Sequence, residues 1–393
     1  MSTLQAYRPR TIPPAMLAGS SDRDESRLSR VAAYREILLW WAGSRLLIGG
    51  IVFAVSALGS RAGLFRGTML SHPLSVLTSW DGHWYSTIAQ HGYLYVPGQE
   101  SNPAFFPLFP AMLRVLSLLG VDTRIAAVAI ANVALPVALL ALYELGRELI
   151  AEPLARRASI LAAIFPVGVV FSMAYPQSLV LAAVALAGTS ALRGRWLATA
   201  FFLGVGTLAR PECLFVAVPI AVVAFRRRDE MSTIERGTAV GALLAAPAAL
   251  LSYVLYLGWT LHDPLAWSHA QHAWGRSFQI DGLVTLVQKL PASLGHNPWL
   301  ARDAIAVVVY AGLLAAAARI GVPRPWILAA VLVIALPLLS GSVQSEARFG
   351  LLAPPIYWGL AGVSVTPRRE AIVRVMCLCL LCAATVTIPQ VFP

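Results

Sequence analysis

Apolar runs of roughly spanning length recur along the chain, separated by short polar or charged connections. A membrane helix needs about 20 predominantly apolar residues, with a range of about 17–25. The runs predict eleven spans, at 36–58, 125–146, 157–174, 178–192, 197–210, 212–225, 238–258, 302–318, 325–340, 350–365 and 372–389, of which 197–210 is short. The expected fold is therefore all-α and polytopic, with a basic, flexible arm at 1–35 and one membrane domain at 36–393.

Cytoplasmic loops collect Lys and Arg. With the N-terminus inside, 20 of the 30 basic residues fall on the inner side, including the run Arg226-Arg227-Arg228. Two long segments, 59–124 and 259–301, are then left on the outer side. They hold all seven histidines, together with Trp80, Trp84, Trp267, Trp274 and Trp299. Polar and aromatic chemistry is gathered on one side, in loops longer than connectors need to be, and function is expected there.

Composition changes the picture by exclusion. Hydrophobic residues make up 58% and charged residues 12%, against about 45–50% and about 25% in a soluble domain. A soluble enzyme of this length and a disordered chain are both excluded. The net charge is +11, but Lys289 is the single lysine. An arginine skew beside abundant Ala and Leu fits a GC-rich bacterial genome. The basic residues sit a few at a time between apolar runs rather than on one stripe, which argues against nucleic-acid binding.

Cys213, Cys377, Cys379 and Cys382 lie in apolar stretches and are expected to be buried, inert thiols. Cys379-x-x-Cys382 has redox spacing but lacks a βαβ context. Residues 1–30 contain five arginines and no apolar h-region, so no cleavable signal is expected.

Within 59–124, Ser79 to His91 predicts a short helix with Ser79 as N-cap, Asp81 in the first turn and Gly92 as the stop. Trp80, Trp84 and Ile88 form an i, i+4, i+8 stripe suited to the headgroup boundary, with Asp81, Tyr85 and Ala89 on the adjacent face. A second segment opens with Asn102 as cap and Pro103 at the first helical position. Pro107 and Pro110 interrupt it, and Gly120 ends it, so a re-entrant or surface-lying helix is expected.

These stretches carry a resemblance. Trp80-Asp81-Gly82-His83-Trp84-Tyr85 through His91-Gly92-Tyr93, followed by Asn102-Pro103-Ala104-Phe105-Phe106-Pro107-Leu108-Phe109-Pro110, resembles the PIG-V family of mannosyltransferases. Ala270-Gln271-His272-Ala273-Trp274-Gly275 and Ala347-Arg348-Phe349 look similar too. At Tyr175-Pro176-Gln177-Ser178 the family more often has Glu in place of Gln177, which puts an acidic role there in doubt.

The resemblance implies a GT-C type membrane glycosyltransferase, a bacterial member, acting on the outer face of the cell membrane with a polyprenyl-phosphate-mannose donor. It requires no cofactor or metal. The acceptor is a hydroxyl on a glycolipid, polysaccharide or protein, and the family's first-loop acidic residue maps onto Asp81. Phosphate leaves as a stable anion, so transfer needs no general acid, in contrast to glycosidases with their two carboxylates. One base to take the acceptor proton suffices.

Arg348, next to a span end, is the first choice for gripping the leaving phosphate, with Arg210 second and Arg61 or Arg66 third. A snorkelling role is the plain alternative for each. Trp84, Tyr85 and Tyr93 read either as interfacial anchors or as sugar-stacking residues. His83 and His91 read as substrate contacts or as satisfied loop histidines, and Gln271 and Trp274 belong to the second similar stretch. His269-x-x-His272 with His262 or Asp263 has generic metal spacing, without HExxH or DxD. A transporter or lipid-linked-sugar flippase is the competing class, but most spans lack central charges, with Arg45 the main exception.

Overall fold

The protein is described here by a computed structural model covering residues 20–62, 73–276, 279, 281–297 and 299–389. Among the described residues it contains seventeen α-helices, a few 3-10 turns and no strand. Five helices are long and apolar enough to cross a membrane. They are α1 (Ser20–Ala62), α5 (Thr123–Leu149), α10 (Thr233–Leu261), α13 (Leu300–Arg319) and α17 (Pro367–Thr387). This is a multi-pass membrane protein. α1 begins at Ser20, inside the segment assigned to the basic arm.

The sequence sets the starts of these helices. The Asp122 side chain accepts the backbone N–H groups of Arg124 and Ile125 at the start of α5. Ser232 and Glu235 form a reciprocal capping box at the start of α10. Thr366 accepts from the Arg369 N–H ahead of α17.

The remaining apolar runs form shorter helices: α6 (Glu152–Ala163), α7 (Gln177–Leu192), α8 (Trp196–Ala209), α9 (Ala217–Arg227), α14 (Arg324–Leu338) and α16 (Pro354–Val363). Several of the eleven predicted spans are therefore not continuous. The 157–174 run ends its helix at Ala163 and continues as a 3-10 turn at Gly168–Ser172. The 212–225 run starts as a 3-10 turn at Pro211–Val216, and the 350–365 run as one at Gly350–Leu352. Pro166, Pro211, Pro354 and Pro355 sit at these breaks. Proline removes an N–H donor and clashes with the preceding turn, whereas hydropathy registers only apolarity.

A broken backbone inside an apolar bundle needs partners. Arg45 in α1 supplies them. Its guanidinium donates to the carbonyls of Ala163 at 3.0 Å and Gly168 at 3.4 Å, and to Ser172 Oγ at 2.7 Å. The arginine that looked like a transporter's central charge is a clasp on the break after α6.

α5, α7, α8 and α10 pack in succession, while α13 packs on α16 and α16 on α6. Small residues permit close approach: a Cβ on Gly359 would sit 2.0 Å from the Leu313 carbonyl oxygen. All four cysteines are free, and Cys379 is exposed rather than buried, because it lies on the outward face of α17.

The long connections carry short helices: α2 (Pro73–Leu77), α3 (Asp81–His91) and α4 (Leu108–Leu118) between α1 and α5, then α11 (Ala266–Ala273) and α12 (Gly282–His296) between α10 and α13. A one-turn helix, α15 (Glu346–Phe349), lies between α14 and α16. Three local expectations change. Ser79 does not cap α3, since its hydroxyl donates to the Val76 carbonyl and Trp80 takes the cap position at φ 59°. Asn102 caps no long helix. It accepts from the Leu94 N–H and donates to the Gly92 carbonyl, clamping the loop after α3. The Trp80–Trp84–Ile88 stripe is covered only in part, with Ile88 buried and Trp84 packed between Phe105 and Trp274, while Trp80 is exposed.

Candidate functional site

Asp81 is the first residue of α3, and the backbone around it is tightly constrained. Trp80 holds a left-handed φ, uncommon for a large side chain, while its indole N–H donates to the Ile388 carbonyl at 3.0 Å. Gly82 presses on the segment after the broken helix, where a Cβ would lie 2.9 Å from the Ala174 Cβ. The Ala174 N–H donates to the Leu77 carbonyl at 2.8 Å, and the Asp81 N–H donates to the Tyr175 hydroxyl at 3.2 Å. The 173–176 strip thus underlies the start of α3, and Arg45 anchors its N-terminal approach.

The Asp81 carboxylate is buried and meets Arg348: a guanidinium nitrogen donates to Oδ2 at 2.5 Å. The Arg348 guanidinium carbon also lies 5.5 Å from the Tyr175 ring centroid, within cation–π range. Tyr175 therefore touches both members of the pair.

Arg348 is delivered by a turn that α13 grips from beneath. Ser345 has φ 73°. Its N–H and that of Ala347 both donate to the Asp303 carboxylate, each at 3.1 Å. The Tyr310 hydroxyl donates to the Ala347 carbonyl at 2.5 Å. Asp303 also pairs with Arg302 at 3.2 Å.

Four further ionisable residues complete the cluster. Arg210 faces Glu212 through two contacts, at 2.8 and 3.2 Å, and stacks its guanidinium 4.9 Å from the Phe349 ring centroid. Arg276, half-buried, reaches Ser345 Oγ at 3.5 Å. Burial and the nearby Arg348 charge push Arg276 down to about 10. Glu346 is fully buried, and neither of its carboxyl oxygens has a hydrogen-bond partner among the described residues. Burial, and then the Asp303 charge, push Glu346 up to about 9.

The residues expected from sequence divide into three places. Asp81, Arg348 and Arg210 join the charged cluster, with Tyr85 buried beside it between Phe105 and Phe109. Trp84, Trp274 and Gln271 form a brace. Trp84 stacks on Phe105, the Trp274 indole donates to the Ser101 carbonyl at 3.3 Å, and the Gln271 amide donates to the Ala104 carbonyl at 3.4 Å. His91 and Tyr93 line a groove of about 640 Å³ with Pro107, Pro110, Arg114, Tyr253 and Tyr256. His83 is exposed, with its ring edge-on to Trp84 at 6.2 Å. Arg66, and the side chain of Arg61, lie outside the described residues.

Sequence reasoning named Tyr175 only as part of the 175–178 stretch, with no role, and did not single out Arg276, Asp303, Tyr310 or Glu346. A signal existed for Asp303 and Glu346, because carboxylates beside apolar spans are costly and tend to be functional. Among the described residues no three His, Cys, Asp or Glu side chains gather as a metal site. His269 Nδ1 lies 2.8 Å from Asp263 Oδ2 instead.

The profile of the family described as Mannosyltransferase (PIG-V) matches residues 56–259. The chain belongs to this family. A membrane glycosyltransferase is what that membership describes, and the matched span includes Asp81, Tyr175, Arg210 and Glu212. No curated protein matches the chain. Among solved structures, the Archaeoglobus fulgidus oligosaccharyltransferase tethered to an acceptor peptide is similar at 12% identity and TM-score 0.41, covering 88% of this chain and 55% of the other. The same archaeal enzyme in complex with zinc and sulfate is similar at 15% identity and TM-score 0.39, with 86% and 53% covered. This PIG-V family member spans about half the length of those structures.

Proposed function

We propose that the protein is an inverting mannosyltransferase that moves mannose from a polyprenyl-phosphate donor to a hydroxyl acceptor at the outer face of the cell membrane. The observation that carries this reading is the buried Asp81–Arg348 contact at the start of α3. The contact engages Oδ2, and the acceptor alcohol approaches this same carboxylate. In the reaction the acceptor oxygen attacks the anomeric carbon, the bond from that carbon to the phosphate oxygen breaks, and the electron pair leaves with the phosphate. Asp81 takes the acceptor's proton, a role worth about 10²–10⁴-fold.

The guanidinium of Arg348 fixes the carboxylate. Outer-face placement rests on the arginine distribution, which also puts the N-terminus inside. The groove lined by His91 and Tyr93 is largely apolar and aromatic, and Trp84, Gln271 and Trp274 brace the loop after α3.

The experiment is transfer by purified protein from polyprenyl-phosphate-mannose to glycolipid, polysaccharide and peptide acceptors, compared with Asp81→Asn. Transfer by the unaltered protein and its loss in a folded variant support the reading. Equal transfer by both would remove Asp81 from it, and no transfer from this donor to any acceptor would remove the donor.

A further inference from the structure

The arginines of the cluster differ in their partners. Arg348 meets Asp81, Arg210 meets Glu212 and Arg302 meets Asp303. Arg276 lies within ion-pair distance of no carboxylate among the described residues, and its contact is with the neutral Ser345 hydroxyl at 3.5 Å. Each paired arginine already has its charge balanced by a carboxylate, so it offers a new anion less net attraction. Separating such a pair strands a charge in a poorly solvated place, a heavy cost. Arg276 has no carboxylate to give up among the described residues.

Its position suits an incoming ligand. Arg276 is half-buried, whereas Arg348 is 2% exposed. The chain just before it is fastened down, because Gln271 and Trp274 tie α11 and its end to the 101–104 turn. Charge balance points the same way. With three pairs internally neutral, and Glu346 pushed up to about 9 and so protonated near pH 7, the cluster retains the single positive charge of Arg276. A sugar phosphodiester carries a single negative charge.

We propose that Arg276 is the guanidinium that receives the phosphate of the lipid-linked donor, a role that rests on the donor reading above. Arg348 and Arg210 then act as positioning residues, the first holding Asp81 and the second holding Glu212 against the 345–349 turn.

The test is binding to protein in lipid nanodiscs, comparing polyprenyl phosphate with the uncharged polyprenol, and a kinetic check that the phosphate competes with the donor. Unaltered protein should prefer the phosphate, and Arg276→Gln should lower that preference about 10- to 100-fold, the range for a charge-assisted hydrogen bond, with KM for donor rising in step. Arg276→Lys, which keeps the charge without the fork, should fall between the two, and it serves as the reading if the Gln variant does not fold. If the unaltered protein binds both lipids equally, the donor reading falls and the Arg276 assignment falls with it. If it discriminates and both variants discriminate equally well, only the assignment to Arg276 is overturned. Competition by inorganic phosphate without competition by polyprenyl phosphate would also overturn it, marking a site for the free anion.

Discussion

Asp81 and Arg348 stand 267 positions apart in the chain, yet their side chains form a buried contact at 2.5 Å. Removing one partner of such a pair costs about 3–5 kcal/mol, because the other charge is left uncompensated. Arg348→Met alone should therefore lower the unfolding midpoint more than the double variant Asp81→Asn/Arg348→Met does. Thermal unfolding of the four proteins in one detergent gives the coupling. Additive losses would show that the two groups do not interact in solution.

The turn that carries Arg348 depends on Asp303. Replacing it with Ala orphans two buried N–H groups, at about 1–3 kcal/mol each, and frees Ser345 to leave its left-handed conformation. Asp303→Ala should lower both stability and kcat. Asp303→Asn, which keeps an acceptor oxygen, should recover part of each. A kcat unchanged in Asp303→Ala would separate the turn from the chemistry.

Glu346 makes stability depend on pH. Its proton is held more tightly in the folded protein, at about 9 against 4.5 for the free side chain. Between these values the unfolded chain has released the proton and the folded protein has not. Stability contributed by this group is fully present below about 4.5 and declines as pH rises toward 9, by about 1.4 kcal/mol per pH unit for one proton. Glu346→Gln removes the titration. Its midpoint should match or exceed the parent's at pH 8.5, and the advantage should shrink toward pH 5. Parallel profiles for the two proteins would contradict the assignment.

Glycines report on helix packing. Gly359→Ala places a methyl 2.0 Å from the Leu313 carbonyl oxygen, where α13 and α16 touch. Backbone must shift, at about 1–3 kcal/mol or more. Gly241→Ala, in α10 with nothing within 4 Å of the new atom, should be neutral or stabilise by about 0.5–1 kcal/mol through helix propensity. Comparing the two midpoints checks both expectations. Equal effects would mean that the α13–α16 contact is looser than described.

The helical class and the family could be read from the chain, because both rest on local signals: long apolar runs and the motif around Asp81. The span count could not, since Pro166, Pro211 and Pro354 divide runs whose hydropathy is unbroken. The cap at Trp80 was missed for a similar reason. Ser79 has the better capping side chain, but the strip bearing Ala174 and Tyr175 presses on the helix start and moves it on by one turn position. Asp81 and Arg348 were each singled out, but not their contact, which depends on how α13 presents the 345–348 turn. Arg276 and Glu346 carried no motif. Their interest comes from what surrounds them, and sequence spacing does not record surroundings.

Because Arg348 follows Asp81 by so much of the polypeptide, a nascent chain already threaded through most of its helices still displays an Asp81 with no guanidinium beside it. The Asp81–Arg348 corner closes only when translation passes the 345–349 turn and that turn docks on α13. If Asp81 is the base proposed above, products released before that point would be membrane-inserted with their base unpositioned.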